Sequence, residues 1–483
     1  MPFFAYFYRM EIRQVEDLIF EHFPFEATKG QRILILALAE FILNHTKQEA
    51  FLFKGYAGTG KTTILSALVK AAPALRMKTV LLAPTGRAAK VLASYSGKQA
   101  FTIHKKIYMP KAKGDGSVYM QRMDNLHTNT FFIVDEASMI PGTTNRDARF
   151  YSDSDLLSDL VAYVYAGKNC SLMLIGDTAQ LPPVGADISP ALDTKYIETT
   201  FNLRLRKLEL KEVMRQSLES GILANATQIR EKIAAENFGF PVFNLHNFPD
   251  IKSINSTELE DALMFAHKDY GDDKTIVITR SNKRANIYNR EIRHRILFRE
   301  EEISTGDYLM VVRNNYYWLP KESPAGFIAN GDIIEIQKIK SITELYGFRF
   351  AEAVIRLVDY PDHPEIETKL LLDTISAETP SLPPQDNQRF FDEVMKDYDD
   401  IPNRRQRFEK VKNNPWYNAL QVKFAYALTC HKTQGGQWET IFIDQPWLPE
   451  NKIDKEFLRW LYTAVTRATK QVYLVNFKDE FFA

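Results

Sequence analysis

The chain has 483 residues, 45% hydrophobic and 25% charged, the balance of an ordinary globular protein with apolar material for about three domains. Lys plus Arg and Asp plus Glu both total 61, so net charge points to no polyanionic partner and any basic track must be local. Cys170 and Cys430 lie far apart with no C-x-x-C pair, which argues against a cysteine zinc site and fits a reducing, cytoplasmic setting.

The aromatic opening MPFFAYFYRM lacks the basic lead of a signal peptide. No run reaches the roughly 18 apolar residues of a membrane span, so no membrane partner is expected. Apolar periodicity predicts a helix within 17–43, after the break at Pro24. Four nearly continuous apolar runs follow, at 50–54, 78–83, 131–135 and 171–176. Strands of a parallel sheet covered on both faces read this way, and the helical stretches between them predict βαβ units. Residues 96–128 are a polar interlude whose Gly114-Asp115-Gly116 turn predicts a small projecting hairpin. Buried strands are expected again at 274–279, 422–428, 440–444 and 471–475. Between them, residues 301–423 read as a β-rich insertion, with a hairpin predicted at Asn330-Gly331. The segment 376–415 matches no pattern, and its basic run NRRQRFEKVK suits either a nucleic-acid track or a solvated face.

Residues Gly55 to Thr62 read G-x-x-x-x-G-K-T, a pattern that chance supplies in roughly two chains per hundred of this length. The loop follows a predicted strand and opens a predicted helix. Glycines there let backbone N–H groups turn onto phosphate oxygens, with the helix dipole behind them. Lys61 is placed to reach the β- and γ-phosphates, and the Thr62 hydroxyl to hold Mg2+. FFIVDEASMI adds Asp135 at a strand end as a second metal ligand. Glu136 is then the group that takes a proton from attacking water. An ATPase is expected, although a small-molecule kinase would use the same loop.

Nine stretches, these two motifs among them, decide the class. KGQR (29–32), GYAGTGKTT, APTGRAAKVL (83–92), TIHK (102–105), VDEASMI, GDTAQLPPVG (176–185), EVMRQ (212–216), ALTCHKTQGGQWETIFID (427–444) and LYTAVTRATK (461–470) occur in that order. Together they resemble the motifs of superfamily-one DNA helicases of the RecD, Dda and Pif group, over nearly the whole chain. Thr433 stands where that family usually has Ser, and Cys430 where it usually has an aliphatic residue.

The resemblance implies an α/β fold: two tandem RecA-like parallel-sheet lobes, a pin-bearing insertion in the first, and a β-rich SH3-like insertion in the second. The first lobe would take 1–95 and 129–200, the pin 96–128, the second lobe 201–300 and 424–483, and the β-rich insertion 301–423. It implies that Gln31 reads the adenine edge, and that Gly55, Gly58, Thr59, Gly60, Lys61, Thr62 and Thr63 bind ATP. Gln180 would sense the γ-phosphate, with Arg215 and Arg467 reaching the same phosphate from the second lobe. Single-stranded DNA would meet Thr85, Gly86, His104 and Lys105 on the first lobe and Thr429, His431, Lys432 and Thr433 on the second. Hydroxyls, imidazoles and lysines suit phosphate contact that reads no sequence. Phe101, Tyr108 and Tyr119 are aromatic candidates for the pin. The expected activity is ATP- and Mg2+-dependent, 5′-to-3′ helicase action by a monomer on single-stranded and forked DNA. Two alternatives stay open: a translocase that does not separate strands, and a RecD-like motor subunit that works only with protein partners in repair, recombination or replication.

Overall fold

The computed structural model describes residues 10–112, 118–141, 155–213, 220–246, 248–320, 323, 325, 327–448 and 452–482. Strands are β1 (Glu49–Gly55), β2 (Lys78–Ala83), β3 (Ala100–Thr102), β4 (Tyr108–Ala112), β5 (Val118–Arg122), β6 (Thr130–Val134), β7 (Ser171–Gly176) and β8 (Arg204–Leu210) in the first half. The second half holds β9 (Ile251–Ile254), β10 (Thr275–Thr279), β11 (Tyr308–Val311), β12 (Ile333–Leu345) and β13 (Phe348–Leu357). It continues with β14 (Ile366–Leu371), β15 (Leu420–Phe424), β16 (Ala427–Thr429), β17 (Trp438–Asp444) and β18 (Ala468–Val475).

The first lobe is a parallel sheet in the order β3-β2-β6-β7-β1-β8. Its apolar runs work as the period of two requires. Phe51, Phe53, Phe131, Ile133, Met173 and Ile175 face one core. Ala50, Leu52, Phe132, Val134, Leu172 and Leu174 face the other. Each of the larger of these side chains contributes roughly 1.5–3 kcal/mol by leaving water. Helices run before Pro24 as well as after it, Ile12–Glu21 and Lys29–Asn44.

The second lobe is a parallel sheet in the order β16-β10-β17-β18-β9. Between its strands lies a closed barrel, β11-β12-β13-β14-β15. Leu309, Val311, Ile334, Ile336, Ala353 and Ile355 of the barrel share one core with Val277, Phe442 and Tyr473 of the sheet. The fold is therefore two RecA-like lobes with a barrel packed on the second.

Three expectations need correction. The apolar run 422–428 is two strands in different sheets, because the chain leaves the barrel at Phe424 and enters the lobe at Ala427. Asn330-Gly331 makes no two-residue hairpin; β11 and β12 are joined by a long excursion that ends in this turn, with Gly331 at φ +99°. The tight hairpin is instead at Tyr346-Gly347, both left-handed at φ +56° and +69°, between the paired Leu345 and Phe348. The interlude at 96–128 is not all projection, since β3 pairs with β2 inside the first-lobe sheet. The antiparallel pair β4–β5 is a separate two-stranded sheet, with Tyr108 and Met120 anchored in the first-lobe core.

The segment 376–415 forms helices Pro384–Lys396 and Arg404–Lys412. Phe390, Val394 and Val411 anchor them on Phe348, Phe350 and Leu371 of the barrel. No helix among the described residues is long and apolar enough to cross a membrane.

Candidate nucleotide site and strand track

Strands β6, β7 and β1 are neighbours, so the phosphate loop, Asp135 and Asp177 leave the sheet along one carboxyl edge, where ligands of such sheets bind. A Cβ on Gly55 would stand 2.9 Å from Lys61 Cγ and 3.0 Å from Thr59 Oγ1. Gly60 takes φ +86° and caps the helix Lys61–Ala71 with no side-chain acceptor, so a bound anion can take that role. Gly58, at φ +73°, passes under Leu223 of the second lobe.

Lys61 Nζ donates to Tyr56 O at 2.9 Å and stands 4.0 Å from Asp177 Oδ2. Thr59 is fully buried, its hydroxyl donating to the same Tyr56 carbonyl at 2.8 Å. Thr62 is exposed at the helix start, with Thr63 half-buried beside it.

Gln31 stands apart from its expected role. Its Oε1 accepts from Thr28 N–H at 2.9 Å, and its Nε2 donates to Thr59 O at 3.1 Å. The amide therefore ties a helix start to the phosphate loop. At 1% exposure it presents little edge to a base.

Asp135 ends β6. Its Oδ2 accepts from Tyr95 OH at 2.5 Å and its Oδ1 from Glu136 N–H at 2.9 Å. Glu136 takes a left-handed φ of +52°, which turns its carboxylate off the strand line. Burial pushes its pKa up, opposed chiefly by the charge of Arg467 and then by Lys61. A carboxylate raised in this way suits a general base. No group of three or more His, Cys, Asp or Glu side chains that could by itself hold a metal ion occurs among the described residues. One carboxylate and one hydroxyl fit Mg2+, which keeps several waters and takes substrate phosphates as ligands.

The second lobe closes on this edge through side chains that sequence reasoning missed. Tyr462 OH donates to Asp177 Oδ2 at 2.7 Å and accepts from Ala57 N–H in the phosphate loop at 2.8 Å. Thr463 Oγ1 accepts from Leu181 N–H at 2.9 Å, and Gln434 Nε2 donates to Leu181 O at 2.7 Å. Gln180 is 5% exposed, with an Oε1 that has no hydrogen-bond partner among the described residues. Arg467 is buried and donates to Thr463 O at 3.1 Å and Gly436 O at 3.3 Å. Arg215 lies outside the described residues. Asp177 and Tyr462 stood within quoted motifs, and a carboxylate ending a buried strand was the available signal.

The expected strand residues gather where the first lobe, the second lobe and the barrel meet. Thr85 caps the helix Gly86–Ser96, its Oγ1 accepting from Ala88 N–H at 3.2 Å. Gly86 lies beneath the barrel, where a Cβ would meet Asp332 Oδ1 at 2.2 Å. Lys432 Nζ donates to Asn330 Oδ1 at 2.9 Å, and burial brings its pKa down to about 8. Lys105 is half-buried over the Phe101 ring at 5.6 Å. His104 packs against Tyr108, and burial lowers its pKa to about 4, so the imidazole is neutral at physiological pH. Thr429 and His431 are half-buried on the second lobe.

Three expectations fail on burial or packing. Thr433 is fully buried and donates to Cys430 O at 2.8 Å, so its hydroxyl is turned from any strand. Tyr108 is core, its OH donating to Asp159 Oδ2 at 2.7 Å. Phe101 is half-buried under Lys105 and Lys106 rather than projecting. The side chain of Tyr119 lies outside what the structure describes.

Comparison with known proteins places these motifs. The AAA domain family matches residues 28–240, and the UvrD-like helicase C-terminal domain matches residues 424–475. An uncharacterized protein of Acanthamoeba polyphaga mimivirus is 24% identical over 520 residues, spanning 92% of this chain and 98% of that one. The ATP-dependent RecD2 DNA helicase of Deinococcus radiodurans is 33% identical over 173 residues, spanning 36% of this chain but 20% of that protein. The crystal structure of Pif1 helicase from Bacteroides in complex with ADP-AlF3 and ssDNA aligns with a TM-score of 0.47 at 14% identity, over 95% of this chain and 94% of that one.

Two RecA-like lobes around one phosphate loop, with the motor motifs in order, define the superfamily-one helicases. The two matching domains and the similarity to RecD2 and Dda support an ATP-dependent DNA helicase of the RecD/Dda/Pif-like kind.

Proposed function

We propose that this chain hydrolyses ATP to move 5′ to 3′ along single-stranded DNA and to part a forked duplex, acting as a cytoplasmic monomer. One observation carries the reading: a single phosphate loop is bounded by both lobes, with Tyr462 on Ala57 and Asp177 and with Arg467 facing Glu136. A triphosphate bound there would touch both halves, so its arrival and hydrolysis would change their separation.

In this reading the loop N–H groups and Lys61 bind the phosphates, and Thr62 and Asp135 hold Mg2+. Bound there, the metal would neutralise phosphate charge. Glu136 takes the proton from water. Arg467, and Arg215 with it, stabilise charge on the transferring group. Gln180 supplies an acceptor to the same region. Thr85, Gly86, His104, Lys105, Thr429, His431 and Lys432 line the strand path, and the β4–β5 hairpin meets the duplex. The helicase name of the Deinococcus relative supports DNA as the partner.

The test pairs ATP hydrolysis, with and without single-stranded DNA, with unwinding of forks carrying a 5′ or a 3′ loading tail. Stimulated hydrolysis and separation from the 5′ tail are expected. Stimulation without separation selects a translocase. Silence until a partner protein is added selects a motor subunit.

A further inference from the structure

The Tyr462 hydroxyl joins three segments: the phosphate loop, the end of β7 and a helix of the second lobe. It belongs to the helix Lys455–Val465 of the second lobe. A backbone N–H can only donate, so Ala57 donates to the hydroxyl at 2.8 Å, and the hydroxyl proton goes to Asp177 Oδ2 at 2.7 Å. Tyr462 and Asp177 are each 1% exposed, so no water substitutes for either bond. Burial, then the Asp177 charge, pushes the phenol pKa far above its ordinary value, and the proton stays on. Asp177 Oδ2 in turn stands 4.0 Å from Lys61 Nζ.

The same helix reaches further. Thr463, the next residue, holds Leu181 N–H through its Oγ1 and Arg467 Nε through its carbonyl. A relay thus runs from Ala57 and Lys61, through Asp177 and Tyr462, to the stretch that holds Arg467 and grips Leu181.

We infer that Tyr462 is a positioning residue that links occupancy of the phosphate loop to the second lobe's hold on the strand. The inference rests on the function proposed above and assigns its coupling to one hydroxyl. Phosphate oxygens seated in the loop compete for Lys61 and for loop N–H groups, because charge-assisted bonds outrank neutral ones. The relay then passes that change into the helix as a shift of its register against Leu181. Two ligands coupled in this way must strengthen each other by the same factor.

The experiment measures, on the full chain, the affinity of a fluorescent non-hydrolysable ATP analogue with and without an oligo-dT strand. The wild type is expected to bind the analogue about tenfold or more tightly with the strand present, within the usual range of such couplings. Tyr462→Phe keeps the ring and removes the relay, so its ratio is expected to fall to within about twofold of one. A purely structural role would lower the melting temperature and leave the ratio intact. Should Tyr462→Phe fail to fold, Asp177→Ala removes the acceptor at the other end of the relay and the same fall is expected. A wild-type ratio in whichever variant folds overturns the inference. A ratio of one in the wild type overturns instead the two-ligand reading beneath it.

Discussion

The Arg87 guanidinium lies over the Trp438 ring at 3.7 Å from its centre, and its Nη2 donates to Gln437 O at 3.2 Å. Arg87 opens a helix of the first lobe and Trp438 opens β17 of the second, so this contact fastens one lobe to the other. Gly436 passes so close that a Cβ there would stand 2.5 Å from Arg87 Nε. A cation over an indole contributes up to about 2 kcal/mol when desolvated. Arg87→Ala is therefore expected to lower DNA-stimulated hydrolysis by about five- to thirtyfold while basal hydrolysis stays within about twofold. Hydrolysis rates across a strand titration check this, and unchanged stimulation would remove the contact from the closing motion.

Lys61→Ala should abolish turnover without touching the strand track. Its amine donates to Tyr56 O and faces Asp177, whereas Lys432 pairs with Asn330 of the barrel turn. Losing one preorganised donor at a transferring phosphate costs roughly two to three orders of magnitude. Single-strand affinity, read by fluorescence anisotropy without nucleotide, is expected to stay within about threefold. A folded variant that no longer binds the strand would contradict the separation of the two sites.

The parallel sheets were legible because every core strand buries both faces. Phe51 and Phe53 point to one core and Ala50 and Leu52 to the other, so the run reads as continuous. The same continuity hid the change of sheet between Phe424 and Ala427, since an apolar run carries no mark of which sheet it joins. Asn330-Gly331 was legible as a turn, because Gly331 does need a positive φ. Its docking on Gly86 was not, because that contact is set by tertiary packing. Within the site, Lys61, Thr62, Asp135 and Glu136 lie in short local motifs whose spacing is the chemistry. Tyr462 and Asp177 are 285 positions apart, and nothing local in either segment names the other.

Tyr95 offers a test of how Asp135 is held. Its hydroxyl donates to Asp135 Oδ2 at 2.5 Å from the last turn of the helix that begins at Gly86. Burial and the neighbouring Asp135 charge raise the pKa of this phenol well above its ordinary value, so it remains a donor. Outer partners of a ligating carboxylate typically contribute tenfold or more to metal affinity. Tyr95→Phe should raise the Mg2+ concentration for half-maximal hydrolysis by about tenfold, with the rate at saturating metal less affected. A magnesium titration decides it, and an unchanged midpoint would show that Asp135 needs no such support.

Asp332 makes the docking of the barrel turn sensitive to pH. The residue is 3% exposed, its Oδ2 accepts from Ala329 N–H at 2.7 Å, and its Oδ1 has no hydrogen-bond partner among the described residues. Burial, and then the charge of Asp359, raises its pKa from 3.8 to about 7, against the opposing Ala329 N–H and Lys105. Over the interval between those values the folded chain keeps a proton that the unfolded chain has lost. The stabilising contribution of this carboxyl is therefore complete below the lower value and lost as pH rises through the upper one. Asparagine keeps an acceptor for Ala329 and never acquires the charge. The melting temperature of Asp332→Asn is thus expected to gain on the wild type by about 2–4 °C between pH 5 and pH 8, with the gain complete above the upper pKa. Paired melts across that range measure it, and a difference that stays flat with pH would mean that the buried carboxyl titrates no differently from an exposed one.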